Sequence, residues 1–342
     1  MATGRTYSGR EFKCILGLAD NSGSGGAIGS ATQDANAVTG SKALMRVDSP
    51  LNDIAFDAGY NRSEIERAGS RALRAEDVIN HYGSGIWTWD FSYVADNEIA
   101  VQNLLQLIYP DNGATTSALT IPANPVVEQY TMGDATEAKD RSAFIILENP
   151  NTDKDRYMHS AILQNLTMSM DIGTNGGRPS FSGQFMSGYK PIIEANTVTA
   201  DTTASDLAHS MFDFTTHTFG GSEVSVKSFD LTLENPASRV GFQGASGETD
   251  GYSRGSKFNV TGNISFKADT TAQAFLESKW QTNTTVAIAL NNGGSDWDIS
   301  IPAANISAYS MDMADEGTFI NCSFTATSGA DAGGNVAVIK IT

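Results

Sequence analysis

Residues 259–280, NVTGNISFKADTTAQAFLESKW, change period half-way along. Phe258, Val260, Ile264 and Phe266 alternate, with Gly262 in the same register, as on a strand that buries one face. Asp269 then offers a helix cap, and Ala272, Phe275, Leu276 and Trp280 fall on one helical stripe. A looser copy lies upstream, WTWDFSYVADNEIAVQNLLQLIY at 87–109. There Trp87, Trp89, Phe91 and Tyr93 alternate with Thr88, Asp90 and Ser92. Asp96 or Asn97 can cap; Val101, Leu104, Leu105 and Ile108 form the stripe, and Pro110 stops the helix. FSYVAD (91–96) and ISFKAD (264–269) align without a gap.

Further landmarks recur in the same order. RVDSP at 46–50 and TLENP at 232–236 precede the two strand–helix units. Ser169–Asp171 and Ser310–Asp312, both SMD, follow them, and each is trailed at equal distance by Ser-Gly, at 187–188 and 328–329. Phe181 and Phe185 lie between in one case, Cys322 and Phe324 in the other, as in a strand, a turn and a returning strand. Landmarks in one order predict an internal duplication. The first copy spans 41–195, with insertions at about 52–84 and 111–160, and the second 220–342. Residues 1–40, which include DNSGSGGAIGSATQDANAVTG, read as a flexible arm or loop, and 196–219 as a connector.

The predicted class is mainly β with a few short helices: many short strands joined by Gly, Ser, Thr and Asn, each copy carrying one packed helix. No apolar run approaches a membrane span, and CILGLA at 14–19 is too short and too close to charges for a secretory signal. The expectation is a protein made in a cytoplasm and without a membrane partner. Cys14 and Cys322 are too few and too far apart to suggest a disulfide framework or a metal site. The net charge of −17 argues against a protein that grips phosphates. Within this acidic chain the insertion NRSEIERAGSRALRAEDVINHYG (61–83) clusters Arg62, Arg67, Arg71 and Arg74. A solvated helix or loop explains it; so does a contact with the acidic surface of a neighbouring copy.

Local chemistry is sparse. Gly251-Tyr252-Ser253-Arg254-Gly255 has nucleophile-elbow spacing, but a polar loop precedes it and no histidine follows His217. The glycines at 23–29 lack the Lys-Ser/Thr pair of a phosphate loop. Asn151–Asp155 alternates oxygen ligands like a calcium loop, yet Arg156 and Ile162 stand where glycine and glutamate are needed. His209 and His217 flank Asp213 without a further ligand, and Asp312, Asp315 and Glu316 read as turn residues. Sequons such as Asn165 and Asn259 carry no meaning without secretion. The expectation is a structural or binding protein: not an enzyme, with no catalytic, metal or cofactor residue.

Three runs together resemble the tail tube (major tail) proteins of long-tailed bacteriophages: SFDLTLENPASRVGFQG (228–244), SKFNVTGNISFKADTTAQAFLESKW (256–280) and YSMDM (309–313) before a final pair of strands. The resemblance covers most of 220–342, and 41–195 through the copy. It implies a β-sandwich or barrel-like domain with one packed helix, related to the tube of the type VI secretion system. It further implies a virion protein, assembled with itself into stacked rings whose acidic lumen conducts DNA. Two domains per chain would make a homotrimeric ring of pseudo-sixfold symmetry; a hexameric ring of undivided domains is the alternative. Tape measure and tail terminator or tip proteins are the implied partners, with DNA passing unbound. The competing expectation is a surface β-sandwich binding carbohydrate or protein, with Trp87, Trp89, Trp280 or Trp297 as a stacking platform.

Overall fold

Alternation of large apolar with polar residues buries Trp87, Trp89, Phe91 and Tyr93 on one side of the strand Trp87–Val94. Asn259–Lys267 does the same with Val260, Ile264 and Phe266. Each strand runs into a helix, α1 (Glu98–Ile108) and α2 (Thr270–Gln281). Asp269 caps α2, accepting from the Ala272 N–H at 2.7 Å. At α1 the cap moves one residue on. The Tyr93 hydroxyl donates to Asp96 Oδ1 at 2.6 Å, and Asn97 accepts from the Ala100 N–H instead.

The computed structural model describes residues 11–20, 42–46, 54–55, 60–65, 69, 72, 74, 77–82, 87–108, 118–122, 141–150, 154–195, 198–200, 210–241, 248–254, 258–291, 297–314, 317–327 and 335–341. One antiparallel ladder dominates. It runs Ile54–Ala55, Trp87–Val94, Ser180–Ser187, Asp155–Asp171, Val226–Glu234, Asn259–Lys267, Gly317–Thr327, Trp297–Ala314.

The same order of pairings occurs twice. In the first series Lys13–Asp20 pairs with Ala43–Met45 and with Arg141–Glu148, and the latter with Asp155–Asp171. That long strand pairs with Ser180–Ser187 and Ile192–Glu194; Ser180–Ser187 pairs with Trp87–Val94, and this with Ile54–Ala55. In the second series Thr216–Phe219 pairs with Ser222–Glu223 and Val286–Asn291, and the latter with Trp297–Ala314. That strand pairs with Gly317–Thr327 and Asn335–Ile341; Gly317–Thr327 pairs with Asn259–Lys267, and this with Val226–Glu234. A hairpin stands at the same place in each, Tyr60–Glu64 with Val78–Tyr82 and Ser238–Val240 with Gly251–Ser253. Even the bulges match: Gln164 is skipped opposite Gln184 and Phe185, and Ser307 is skipped next to the pair Ile306–Phe324. The series join where Asp155–Asp171 pairs with Val226–Glu234. Ala118–Pro122 crosses from the first to pair with Asn335–Ile341 of the second.

The ladders move several expected landmarks. Ile54 and Ala55 stand against Trp89 and Thr88 where Leu231 and Thr232 stand against Gly262 and Thr261. The counterpart of TLENP therefore lies beyond RVDSP, and Ala43–Met45, just before RVDSP, pairs with Cys14–Leu16 instead. Met168 faces Phe181 as Met311 faces Ile320, so the two SMD runs are offset by two residues, a shift that keeps their faces.

Part of the expected 1–40 arm is core. Lys13–Asp20 forms a strand whose Cys14, Leu16 and Leu18 join the main core, while Ile15 joins a second cluster with Phe144, Ile146, Tyr157 and Val198. Residues 1–10 and 21–40 lie outside the described residues. Arg141–Glu148, inside the expected 111–160 insertion, is likewise a core strand: Ala143, Ile145 and Leu147 face the main cluster, Phe144 and Ile146 the second. Both strands are apolar on both faces, so neither shows the alternation that marks a half-buried strand. The expected connector 196–219 contains the paired strand Thr216–Phe219.

Candidate functional site

The long ladder has one apolar and one polar face. On the polar face Asp90, Asn165, Thr167, Asp171, Asp230, Thr232, Asn263, Ser323, Ser310 and Asp312 follow one another across the strands. Neighbouring strands are tied there by short polar pairs. Gln184 Nε2 donates to Asp90 Oδ1 at 2.7 Å, and the Thr167 and Thr232 hydroxyls meet at 3.0 Å. The Ser323 hydroxyl donates to Asn263 Oδ1 at 2.7 Å, and Asn259 Nδ2 to Glu234 Oε2 at 3.1 Å. Such cross-strand pairs fix the register and leave a wall of hydroxyls, amides and carboxylates. Lys227 lies 4.6 Å from the Phe319 ring centroid, so its charge stays close to the sheet.

The expected strand–helix core residues fall into two groups. Trp87, Trp89, Phe91, Leu104, Leu105, Phe266 and Leu276 are buried, and Phe258 and Phe275 pack half-buried against the same cluster. Trp280 does not join them: it is 47% exposed and meets Tyr309 edge-on at 5.5 Å. Trp87 and Trp89, at 1% and 0% exposure, cannot stack on a sugar. The side chain of Trp297 lies outside the described residues.

Of the four arginines, Arg62 sits on the strand Tyr60–Glu64 and Arg74 is exposed before Val78–Tyr82; Arg67 and Arg71 lie outside the described residues. The insertion 52–84 is thus built on a β-hairpin, where the sequence suggested a helix or loop. Among the described residues no group of three His, Cys, Asp or Glu is placed to hold a metal ion, and no helix is long and apolar enough to cross a membrane. Cys14 and Cys322 are unbridged and buried, and burial pushes both thiols up to about 12, away from the reactive thiolate.

Sequence reasoning passed over the elements that lock the two series together. In the Gly251–Gly255 stretch the serine is exposed and its neighbours do the work. The Tyr252 hydroxyl donates to the Ser160 carbonyl at 2.9 Å and accepts from the Gly188 N–H at 2.7 Å. Arg254, 6% exposed, donates to the carbonyls of Leu163 and Leu107 and, by a short contact, of Asn235. Asn235 Nδ2 donates to the Ile108 carbonyl. Leu107 and Ile108 end α1, so the second series supplies the partners of the first helix's last carbonyls. A Tyr and an Arg between glycines were the only signal in the sequence, and the elbow spacing drew attention to the serine.

The family model described as phage tail tube protein matches residues 6–326. The chain belongs to the phage tail tube protein family. As a tail tube protein it is a structural component of the virion, and the family implies self-association into a tube. The match takes in the first series, including the buried strand Lys13–Asp20, and the second series short of Asn335–Ile341. No curated protein matches the chain.

Proposed function

We propose that this tail tube protein closes into rings of three chains, that the rings stack, and that the polar face of the long ladder lines the channel through which DNA passes. The continuous polar face carries this reading. Asp90, Asp171, Asp230, Glu234 and Asp312 lie on it, in a chain of net charge −17. DNA binding draws its affinity from cations that displace counterions, and a face on which Asp90, Asp171, Asp230, Glu234 and Asp312 outnumber Lys227 and Lys267 supplies little of that gain. A polyanion therefore slides past it.

The repeated pairing order supports a duplicated unit, the first from about Lys13 to Glu194 and the second from about Thr216 to Ile341. Two equivalent units per chain let three chains build a ring of pseudo-sixfold symmetry. Ring closure also removes the open sheet edges that otherwise invite aggregation. Tape measure and terminator or tip proteins are the partners that such a tube requires.

Negative-stain electron microscopy with light scattering on the purified protein tests the proposal. Stacked rings with a stain-filled channel are expected. A protein that stays monomeric at every concentration and binds glycans would overturn it.

A further inference from the structure

Inside the chain the two series meet at a sheet junction. At the inner junction the edge of Asp155–Asp171 is covered by Val226–Glu234, with Leu231 opposite Met168 and Thr232 opposite Thr167. Beneath it Leu166, Met168 and Met170 are buried at 1%, 3% and 1%, and Asn235 and Arg254 close the end of α1. The second series repeats the strand and the helix without the cover. Among the described residues nothing pairs with the corresponding edge of Trp297–Ala314 beyond Ala304. The matching apolar positions are open there: Tyr309 is half-buried, Met311 38% and Met313 79% exposed, and Trp280 protrudes from the last turn of α2. At the other end of the ladder Ile54–Ala55 pairs only with Trp87–Val94 among the described residues.

We propose that a second copy of this chain covers the open edge with its Ile54–Ala55 strand, in the register of the inner junction. Ile54 of one chain then stands opposite Met311 of the next, as Leu231 stands opposite Met168. Ala55 stands opposite Ser310, as Thr232 stands opposite Thr167. The hairpin Tyr60–Glu64/Val78–Tyr82 follows Ile54–Ala55 as Ser238–Val240/Gly251–Ser253 follows Val226–Glu234, so it comes to lie at the C-terminal end of α2. The cluster Arg62, Arg67, Arg71 and Arg74 belongs to that hairpin segment, and cations favour a helix C-terminus. The contact is heterologous, open edge to opposite edge, which builds rings when the rotation closes. This deepens the ring proposal and rests on it.

Paired cysteines test it in the full chain. Directly opposite residues of an antiparallel pair have Cα atoms about 4.5–5.5 Å apart, within reach of a disulfide. Thr167→Cys with Thr232→Cys is the internal control and should close within one chain. Ala55→Cys with Ser310→Cys should join chains under mild oxidation, giving dimers and closed trimers on a non-reducing gel. The native thiols are buried and do not compete. As a second test, Met311→Asp with Met313→Asp, on exposed positions, should leave the melting temperature of the single chain unchanged and abolish rings. Rings that form while the control closes and the Ala55/Ser310 pair stays reduced would overturn the register and leave the tube reading standing. Chains that neither cross-link nor form rings would overturn both.

Discussion

Asn235 Nδ2 donates to the carbonyl oxygen of Ile108 at 2.8 Å, so the last turn of α1 is closed by a residue 127 positions further along the chain. Arg254 does the same for Leu107 and reaches the Leu163 carbonyl as well. These carbonyls are buried with their partners and have no water to turn to. Asn235→Ala is expected to cost about 1–3 kcal/mol, the penalty of a buried polar group left unpaired. Arg254→Met should cost at least as much. The double variant should lose less than the sum, because both side chains close the same end of α1 and either loss loosens the site of the other. Urea unfolding of the four proteins measures this.

Gly262 marks a place where two strands and a ring meet without room for a methyl group. A Cβ there would lie 2.4 Å from the Asp230 carbonyl oxygen and 2.5 Å from Phe324 Cζ. Gly262→Ala is expected to destabilise by about 1–3 kcal/mol through overpacking. An unchanged melting temperature would show that the Asp230 carbonyl and the Phe324 ring give way to a methyl group without cost.

The two tryptophans Trp89 and Trp280 should separate folding from assembly. Trp89→Ala removes a side chain with 0% exposure and should cost about 3–5 kcal/mol of stability. Trp280→Ala removes one that is 47% exposed, so thermal unfolding of the single chain should change little while sedimentation shows weaker self-association.

Acid should loosen the fold through two histidines. Burial holds His159 below its ordinary value of 6.5, against the opposing pull of Glu248 and a backbone hydrogen bond with Lys190. Burial lowers His217 as well, opposed by Glu223. A base with a lowered folded value is neutral in both states above 6.5, where its contribution is complete. Below that, the unfolded chain takes up protons that the folded chain refuses, and stability falls. Urea midpoints should drop from pH 7 to pH 5, and His159→Gln should show a shallower drop. An identical slope in the variant would exclude His159.

The strand–helix units were legible because each carries two clear periods in succession: Trp87 to Tyr93, then Val101 to Ile108. Lys13–Asp20 and Arg141–Glu148 were not, since Ile15 and Ile146 face one cluster and Leu16 and Ile145 another. A strand apolar on both faces has no period to read. The polar face was half legible. Alternation separated Asp90 from Trp89 but could not say which strands place their polar residues side by side. The Arg254 site was illegible: its acceptors, at Leu107, Leu163 and Asn235, are backbone carbonyls, and every residue has one.

The number of chains in a ring tests the central claim most directly. Class averages of end-on rings, with native mass spectrometry of the same assembly, should show six similar lobes built from three chains. Six chains per ring, or lobes that do not alternate between two kinds, would contradict the account.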